Sequence, residues 1–323
     1  MLRRSLKIIY DNNMSLPIEV IMNAGSGKDE DKDETKKQLA EAFRVNNLDA
    51  HFSFAESGEQ LLEMAKEAAQ SDYQTIVAAG GDGTISAVAA AIAETSKTLG
   101  VLPLGTLNHF SKDLNISAEP EEAVRVIAEN HIEEIDAGEV NGQIFINNSS
   151  IGLYPQIVRR REKQQHRLGR GKWLAAFWAA IAVLRRYPFL LIKLTIDGKE
   201  LRRKTPFIFI GNNEYEMDSF NIGGRKCLDA GKLSVYVLHR TGRMGLVRLA
   251  LRSLFGILRQ AKDFETFCTD EITIETRHKK LLVAFDGEVK SMETPLHYHI
   301  RPNALRVIVP KSEEEKSSTD ERG

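Results

Sequence analysis

The 323-residue chain is short of several things that would narrow its class. It has two cysteines, Cys227 and Cys268, far apart and without metal-ligand spacing. Neither a disulfide framework nor a cysteine metal site is expected, and inert thiols fit a reducing, cytoplasmic compartment. Long hydrophobic runs are missing too. The most apolar stretch, WLAAFWAAIAVL from Trp173 to Leu184, has twelve residues, against roughly twenty for a bilayer crossing. The opening MLRRSLKIIYDNN has too little apolar length for a signal peptide. Neither sign of charge is in excess: 44 Lys and Arg face 45 Asp and Glu, a net charge of −1. That balance excludes a global field recruiting nucleic acid. Both common nucleotide fingerprints, GxxxxGK[ST] and GxGxxG, are absent, and no internal repeat is evident.

What is present reads as an ordinary globular composition, 42% hydrophobic and 28% charged, long enough for two domains. From 16 to 135, apolar strands alternate with amphipathic helices. IEVIMN precedes a charged helix near 30–46, AHFSFA precedes GEQLLEMAKEAAQ, and QTIVAAG precedes an alanine-rich helix; TLGVLPLG and PEEAVRVIAEN follow. Such alternation predicts a parallel sheet covered by helices, with ligands at the carboxyl ends of its strands. From 136 to 310, short strands dominate: LIKLTID, TPFIFIGNN, KLSVYVLH, EITIET, KLLVAFDG and ALRVIVP, with a hairpin signal at Asp197-Gly198. This half is expected to be an antiparallel sandwich or barrel, interrupted by helices at 158–186 and 242–262. Residues 1–15 and 311–323 are expected to be peripheral or disordered tails.

The stretch IVAAGGDGTISAVAAAIAE runs from a strand into a helix through Gly80, Gly81, Asp82, Gly83 and Thr84. Glycines let backbone approach a bulky anion, and the following helix aims free N–H groups at the same point, so phosphate is the natural guest. An aspartate there repels that guest unless a cation intervenes or the side chain holds the loop; Asp82 thus suggests nearby magnesium, or simply caps the helix. Two more small-residue loops emerge on the same edge: NAGSG (Asn23 to Gly27) and PLGTLNHF, carrying Gly105, Thr106 and Asn108. Together the three loops describe a nucleotide cleft.

NAGSG, GGDGT, PLGTLNHF and a late DGE (Asp286, Gly287, Glu288) stand in the order found in the diacylglycerol kinase catalytic family, which the chain resembles over about 16–310. The resemblance implies an N-terminal α/β nucleotide domain of the NAD-kinase kind and a C-terminal antiparallel β-sandwich domain, with ATP and Mg²⁺ between them. It also implies that Asn23, Gly25, Ser26, Gly80, Gly81, Asp82, Gly83, Thr84, Thr106, Asn108 and Glu288 line the nucleotide site. Asp286 becomes the general base toward a lipid hydroxyl; read from the residues alone, it is an Asp-Gly turn. Asp229 in CLDAGKLSV matches a metal-related acid, as does Asp82, but Ala230 replaces a second acid, and His109 stands where many relatives carry aspartate. Asp136 matches an aspartate near the domain junction, with strand-end capping the equal alternative. By resemblance to sphingosine kinases, Arg167 and Lys172 in RRREKQQHRLGRGKW are phosphate clamps, beside the alternative of a solvated basic face.

The expected activity is ATP- and magnesium-dependent phosphorylation of a lipid hydroxyl, diacylglycerol giving phosphatidic acid. The expected partners are that lipid, an anionic membrane surface met peripherally, and a second copy of the chain; nucleic acid is not expected. Packing against the sandwich is the default explanation for a stripe of Met244, Val247, Leu251, Leu254 and Leu258, while the flanking Arg248, Arg252 and Arg259 suit contact with anionic lipid head groups. The alternatives are a soluble NAD kinase, which GGDGT permits, and a nucleotide-dependent membrane adaptor without turnover.

Overall fold

The structure is a computed structural model that describes residues 17–23, 32–152, 155, 189–213, 215–218, 221–225, 230–238 and 264–311. Its first half alternates as expected: β1 (Ile18–Asn23), α1 (Lys32–Val45), β2 (Ala50–Ala55), α2 (Gly58–Gln70), β3 (Thr75–Gly80), α3 (Asp82–Ile92), β4 (Thr98–Pro103), α4 (His109–Asp113) and α5 (Pro120–Glu129). The four strands are parallel in the order β2-β1-β3-β4. β4 is buried throughout and β3 at all but its first residue, as strands covered on both faces require. Local chemistry sets the helix ends. Ser57 caps α2 by accepting the Gln60 N–H at 3.2 Å, while α5 starts on Pro120 and stops at left-handed Asn130.

The second half is built from β5 (Ile132–Val140), β6 (Gln143–Phe145), β7 (Asn148–Gly152), β8 (Leu190–Ile196), β9 (Lys199–Thr205), β10 (Phe207–Asn212), β11 (Tyr215–Asp218), β12 (Asn221–Arg225), β13 (Leu233–Leu238), β14 (Phe264–Thr269), β15 (Glu271–Thr276), β16 (Lys280–Phe285), β17 (Glu288–Glu293) and β18 (Leu296–Ile308). A six-stranded antiparallel sheet runs β14-β13-β10-β7-β16-β17. It faces β18, β15 and β8 across a core that includes Ile151, Ile210, Val235 and Val283 on one side and Leu194, Ile274 and Tyr298 on the other. This is the expected sandwich. Asp197 and Gly198 both have positive φ and close the β8–β9 hairpin in two residues, as their sequence signals.

β18 joins the halves. Its thirteen residues pair antiparallel with β5 and β15, and its end, at Arg306 and Val307, pairs parallel with β4. The N-terminal sheet therefore continues through β18, β15, β8 and β9 as one ten-stranded sheet. The boundary expected at 135/136 falls inside β5, whose Ile135 packs in the first core and Val140 in the second. The helices expected at 158–186 and 242–262, and the tails expected at 1–15 and 311–323, the latter apart from Lys311, lie outside the described residues. Among the described residues, no helix is long and apolar enough to cross a membrane.

Candidate active site

The glycine turn sits where β3 enters α3. Gly81 caps the helix in extended conformation, and Asp82 opens it as the first helical residue. Asp82 is not the cap: its Oδ1 accepts the His109 N–H at 2.8 Å and ties this turn to the loop after β4. Of the two jobs open to that carboxylate, cation binding and loop holding, the second uses one oxygen. The same two loops touch through backbone, because a Cβ on Gly105 would stand 2.6 Å from the Gly81 Cα. Asn108, left-handed at φ 47° and buried, donates from Nδ2 to the Gly105 and Pro103 carbonyls at 3.0 and 3.3 Å, and its Oδ1 has no partner. Thr106 and the His109 side chain are exposed.

Asp286 lies in the two-residue turn between β16 and β17, with φ 46° followed by Gly287 at 88°. The Asp-Gly hairpin signal is thus structurally correct, and the turn also aims a carboxylate. Oδ2 accepts the Ile146 N–H at 2.8 Å, while Oδ1 accepts those of Asn147 and Asn148 at 2.9 and 3.1 Å. The Asp286 N–H in turn donates to the Asn148 carbonyl at 2.9 Å. A carboxylate offers about four lone-pair sites, so one remains on Oδ2. The residue as a whole is half-buried, but its carboxyl is enclosed. Burial pushes that carboxyl above its ordinary range, against the lowering influence of the three amides and the Ser86 hydroxyl. Ser86, buried on α3, faces the carboxyl without a well-formed hydrogen bond.

Two cavities meet here. One, of about 300 Å³, opens at the N-terminal ends of α2 and α3 and is lined by Asn23, Gly58, Gly81, Gly83, Thr84 and Glu288. The other, of about 260 Å³, runs along α3 and is lined by Ser86, Ala87, Ala90, Ile144, Phe285 and Asp286, with Lys66 and Lys290 at its mouth. Leu62, Gly83, Ala87 and Glu288 belong to both. Lys290 is held there by donating to Gln143 Oε1 at 2.8 Å, with its ammonium 5.2 Å from the centre of the Phe285 ring. The anion-seeking turn and the carboxylate thus stand on opposite sides of one shared wall.

Comparison with known proteins agrees with the fold. Residues 17–140 match the model of the diacylglycerol kinase catalytic domain, and residues 149–309 match that of the YegS C-terminal NAD kinase beta sandwich-like domain. The chain thus resembles the diacylglycerol kinase catalytic family in its first half and that sandwich-like domain in its second. Within that family, a protein named diacylglycerol kinase from Staphylococcus carnosus (strain TM300) is 33% identical over 140 residues, 43% of this chain and 45% of that protein. Its counterpart from Staphylococcus aureus (strain bovine RF122 / ET3-1) is 34% identical over 140 residues, 43% and 44% of the two chains. The match therefore spans less than half the length of these curated relatives. A crystal structure of a diacylglycerol kinase from Bacillus anthracis str. Sterne aligns with a TM-score of 0.68 over 91% of this chain and 97% of that one. At 23% identity it establishes the shared fold.

Of the site residues read from the family motifs, Asn23, Gly81, Gly83, Thr84 and Glu288 line the first cavity, and Asp286 lines the second with Gly83 and Glu288. Gly80 is buried behind Thr84, and Asp82 and Asn108 hold loops. Gly25, Ser26, Arg167, Lys172 and Asp229 lie outside the described residues. Asp136 caps no strand end. Inside β5, its Oδ1 and Oδ2 accept the N–H groups of Asn303 and Gly231 at 3.0 and 2.7 Å. The motifs gave no sign of Ser86, the amides of 146–148, Lys66 or Lys290: backbone donors carry no side-chain signature, and the lysines are two among many.

Proposed function

We propose that the protein is an ATP-dependent lipid kinase, transferring the γ-phosphoryl group of ATP to a lipid hydroxyl, with diacylglycerol the acceptor and phosphatidic acid the product. The observation that carries this reading is the wall shared by the glycine-turn cavity and the Asp286 cavity. The triphosphate occupies the first, where the free N–H groups at the start of α3 meet its charge. The acceptor hydroxyl enters the second. Asp286 takes its proton as the oxygen bonds to the γ-phosphorus, and the bond from that phosphorus to the bridging oxygen breaks to release ADP. A base raised above the ordinary carboxylate range is stronger when ionised, which suits proton removal near neutral pH.

Magnesium binding commonly needs only one or two protein carboxylates beside phosphate oxygens. Asp82 fits, because its Oδ2 is not engaged by the His109 amide. The ion would neutralise phosphate charge; positioning and that neutralisation supply most of the acceleration in phosphoryl transfer. The acceptor cavity is at the small end of ligand pockets, which run to roughly 300–1,000 Å³, so acyl chains stay outside it. That favours work at a bilayer surface, where ATP is available on the cytoplasmic side and the lysines at the mouth meet anionic lipid head groups.

Incubation with labelled ATP, magnesium and a mixed-micelle lipid panel tests the proposal. Wild type is expected to label a lipid, and Asp286→Asn to lose about 10²- to 10⁴-fold in kcat while keeping ATP binding. No transfer to any lipid, or NAD labelled instead without detergent, would overturn it.

A further inference from the structure

Asp286 receives its hydrogen bonds from peptide groups, and those peptide groups are themselves held from behind. The Ile146 carbonyl belongs to the same peptide plane as the Asn147 N–H, and it accepts the Asn212 Nδ2 at 3.0 Å. The Asn147 carbonyl shares its plane with the Asn148 N–H, and it accepts the Asn212 backbone N–H at 2.9 Å. One residue on β10 therefore grips both peptide planes whose far ends donate to Asp286 Oδ1. The second hydrogen of Nδ2 goes to the Asp136 carbonyl at 2.8 Å, and the Asp136 carboxylate ties down Gly231 and Asn303.

The amide orientation is chemically forced. Both groups facing Nδ2 are carbonyls, which only accept. Asn212 is fully buried, and its Oδ1 is left without a partner, a cost that an apolar residue would avoid. We propose that Asn212 is a positioning residue for the catalytic base: by bonding the carbonyl ends of the 146–147 and 147–148 peptides, it aims and strengthens the N–H groups that hold Asp286. Hydrogen-bonded chains polarise one another, so a carbonyl that accepts makes its own amide a better donor. The assignment rests on Asp286 acting as base.

Removing the Nδ2 donor weakens the support of the carboxylate and displaces its proton affinity upward. The titratable groups sharing the cavity with Asp286 are Lys66, Glu288 and Lys290, and none of them is altered by the test. Asn212→Leu, nearly isosteric and uncharged, abolishes both side-chain donors; Asn212→Ser, smaller, keeps one short donor and guards against failure to fold. Thr205→Val serves as control, since the Thr205 hydroxyl is buried in bonds to Phe207 and Leu238, neither of which lines the Asp286 cavity. In the Asn212 variants the acid limb of the kcat–pH profile is expected to rise by about half a unit to one unit. Their kcat falls about tenfold, short of losing the base, with the KM for ATP unchanged. Thr205→Val loses stability and leaves the limb where it was. Asn212 variants that are destabilised with an unmoved limb overturn the proposal. Direct NMR titration of the Asp286 carboxyl, assigned by its loss in Asp286→Asn, needs no turnover. If wild type phosphorylates no lipid, a raised carboxyl pKa in the Asn212 variants still supports the relay, and an unmoved one sinks it.

Discussion

A Cβ on residue 80 would stand 2.5 Å from Thr84 Oγ1, so glycine there makes room for a neighbour inside the fold. At residue 83 nothing lies within 4 Å of an added Cβ, and the position is exposed on the wall between the two cavities. Two glycines of one motif thus serve different ends, and alanine substitution separates them. Gly80→Ala forces overpacking against Thr84 and is expected to cost about 1–3 kcal/mol of stability, read as a lower urea midpoint. Gly83→Ala is expected to leave that midpoint almost unchanged, while its methyl group intrudes where the proposed phosphate and acceptor sites meet and lowers kcat/KM at least about tenfold. Equal stability loss in both variants would remove the distinction. The motif was legible because glycine and aspartate are conspicuous after an apolar strand; which glycine faces the cleft was not, since that depends on Thr84 folding back beneath Gly80.

Elements that repeat one pattern were read correctly. β1, β3 and β4 announce themselves as apolar runs, and α2 carries buried Leu61, Ala65 and Ala68 on one face. α4 escaped notice because five residues are too few for a period and left-handed Asn108 starts it. β9, KELRRKT, is an edge strand whose cations sit on both faces, which hides its alternation. The first half of β18 was missed for a related reason, as His297, His299 and Arg301 dilute its apolar set. Those polar residues have a use. Glu139 on β5 accepts Arg301 Nε at 2.8 Å and the Gly142 N–H at 3.0 Å, with His299 Nε2 3.2 Å away. Burial alone would push the Glu139 carboxyl up, but Arg301, His299 and the Gly142 amide outweigh it and hold the carboxyl below its usual 4.5. The folded-state value lies below the unfolded one, so the stabilisation is fully present above about 4.5 and fades as pH falls through the folded value. Partial exposure of Arg301 limits it to about 1 kcal/mol. Glu139→Gln should lower the urea midpoint at neutral pH and flatten its decline on acidification; a variant that declines as steeply as wild type would contradict the assignment.

At the scale of the molecule, the ends of the chain decide how the halves depend on each other. Leu305, Val307, Ile308 and Val309 are buried in the first core, although they follow the entire sandwich in sequence, while Leu296, Tyr298 and Ile300 of the same segment are buried in the second. β4 uses β18 to cover the edge that β3 does not. A fragment ending at residue 145 therefore loses these four core side chains as well as Ile146, and exposes a strand edge. At about 1.5–3 kcal/mol for each buried side chain, the loss is at least about 6 kcal/mol, comparable with the whole stability of many domains at roughly 5–15 kcal/mol. Fragment 17–145 is expected to show no cooperative thermal transition by circular dichroism and poor amide dispersion by NMR. The intact chain should unfold in one transition, because separating the halves breaks β18 from one of them. The proposed site explains what that coupling is for. Gly83 belongs to a helix of the first core and Asp286 to a hairpin of the second sheet, so the proposed phosphate site and the proposed base keep their registration only while both halves hold the same strand. A fragment that melts cooperatively, or two resolved transitions in the intact chain, would mean that the cleft is free to open about β18, and the fixed wall between the two cavities would have to be abandoned.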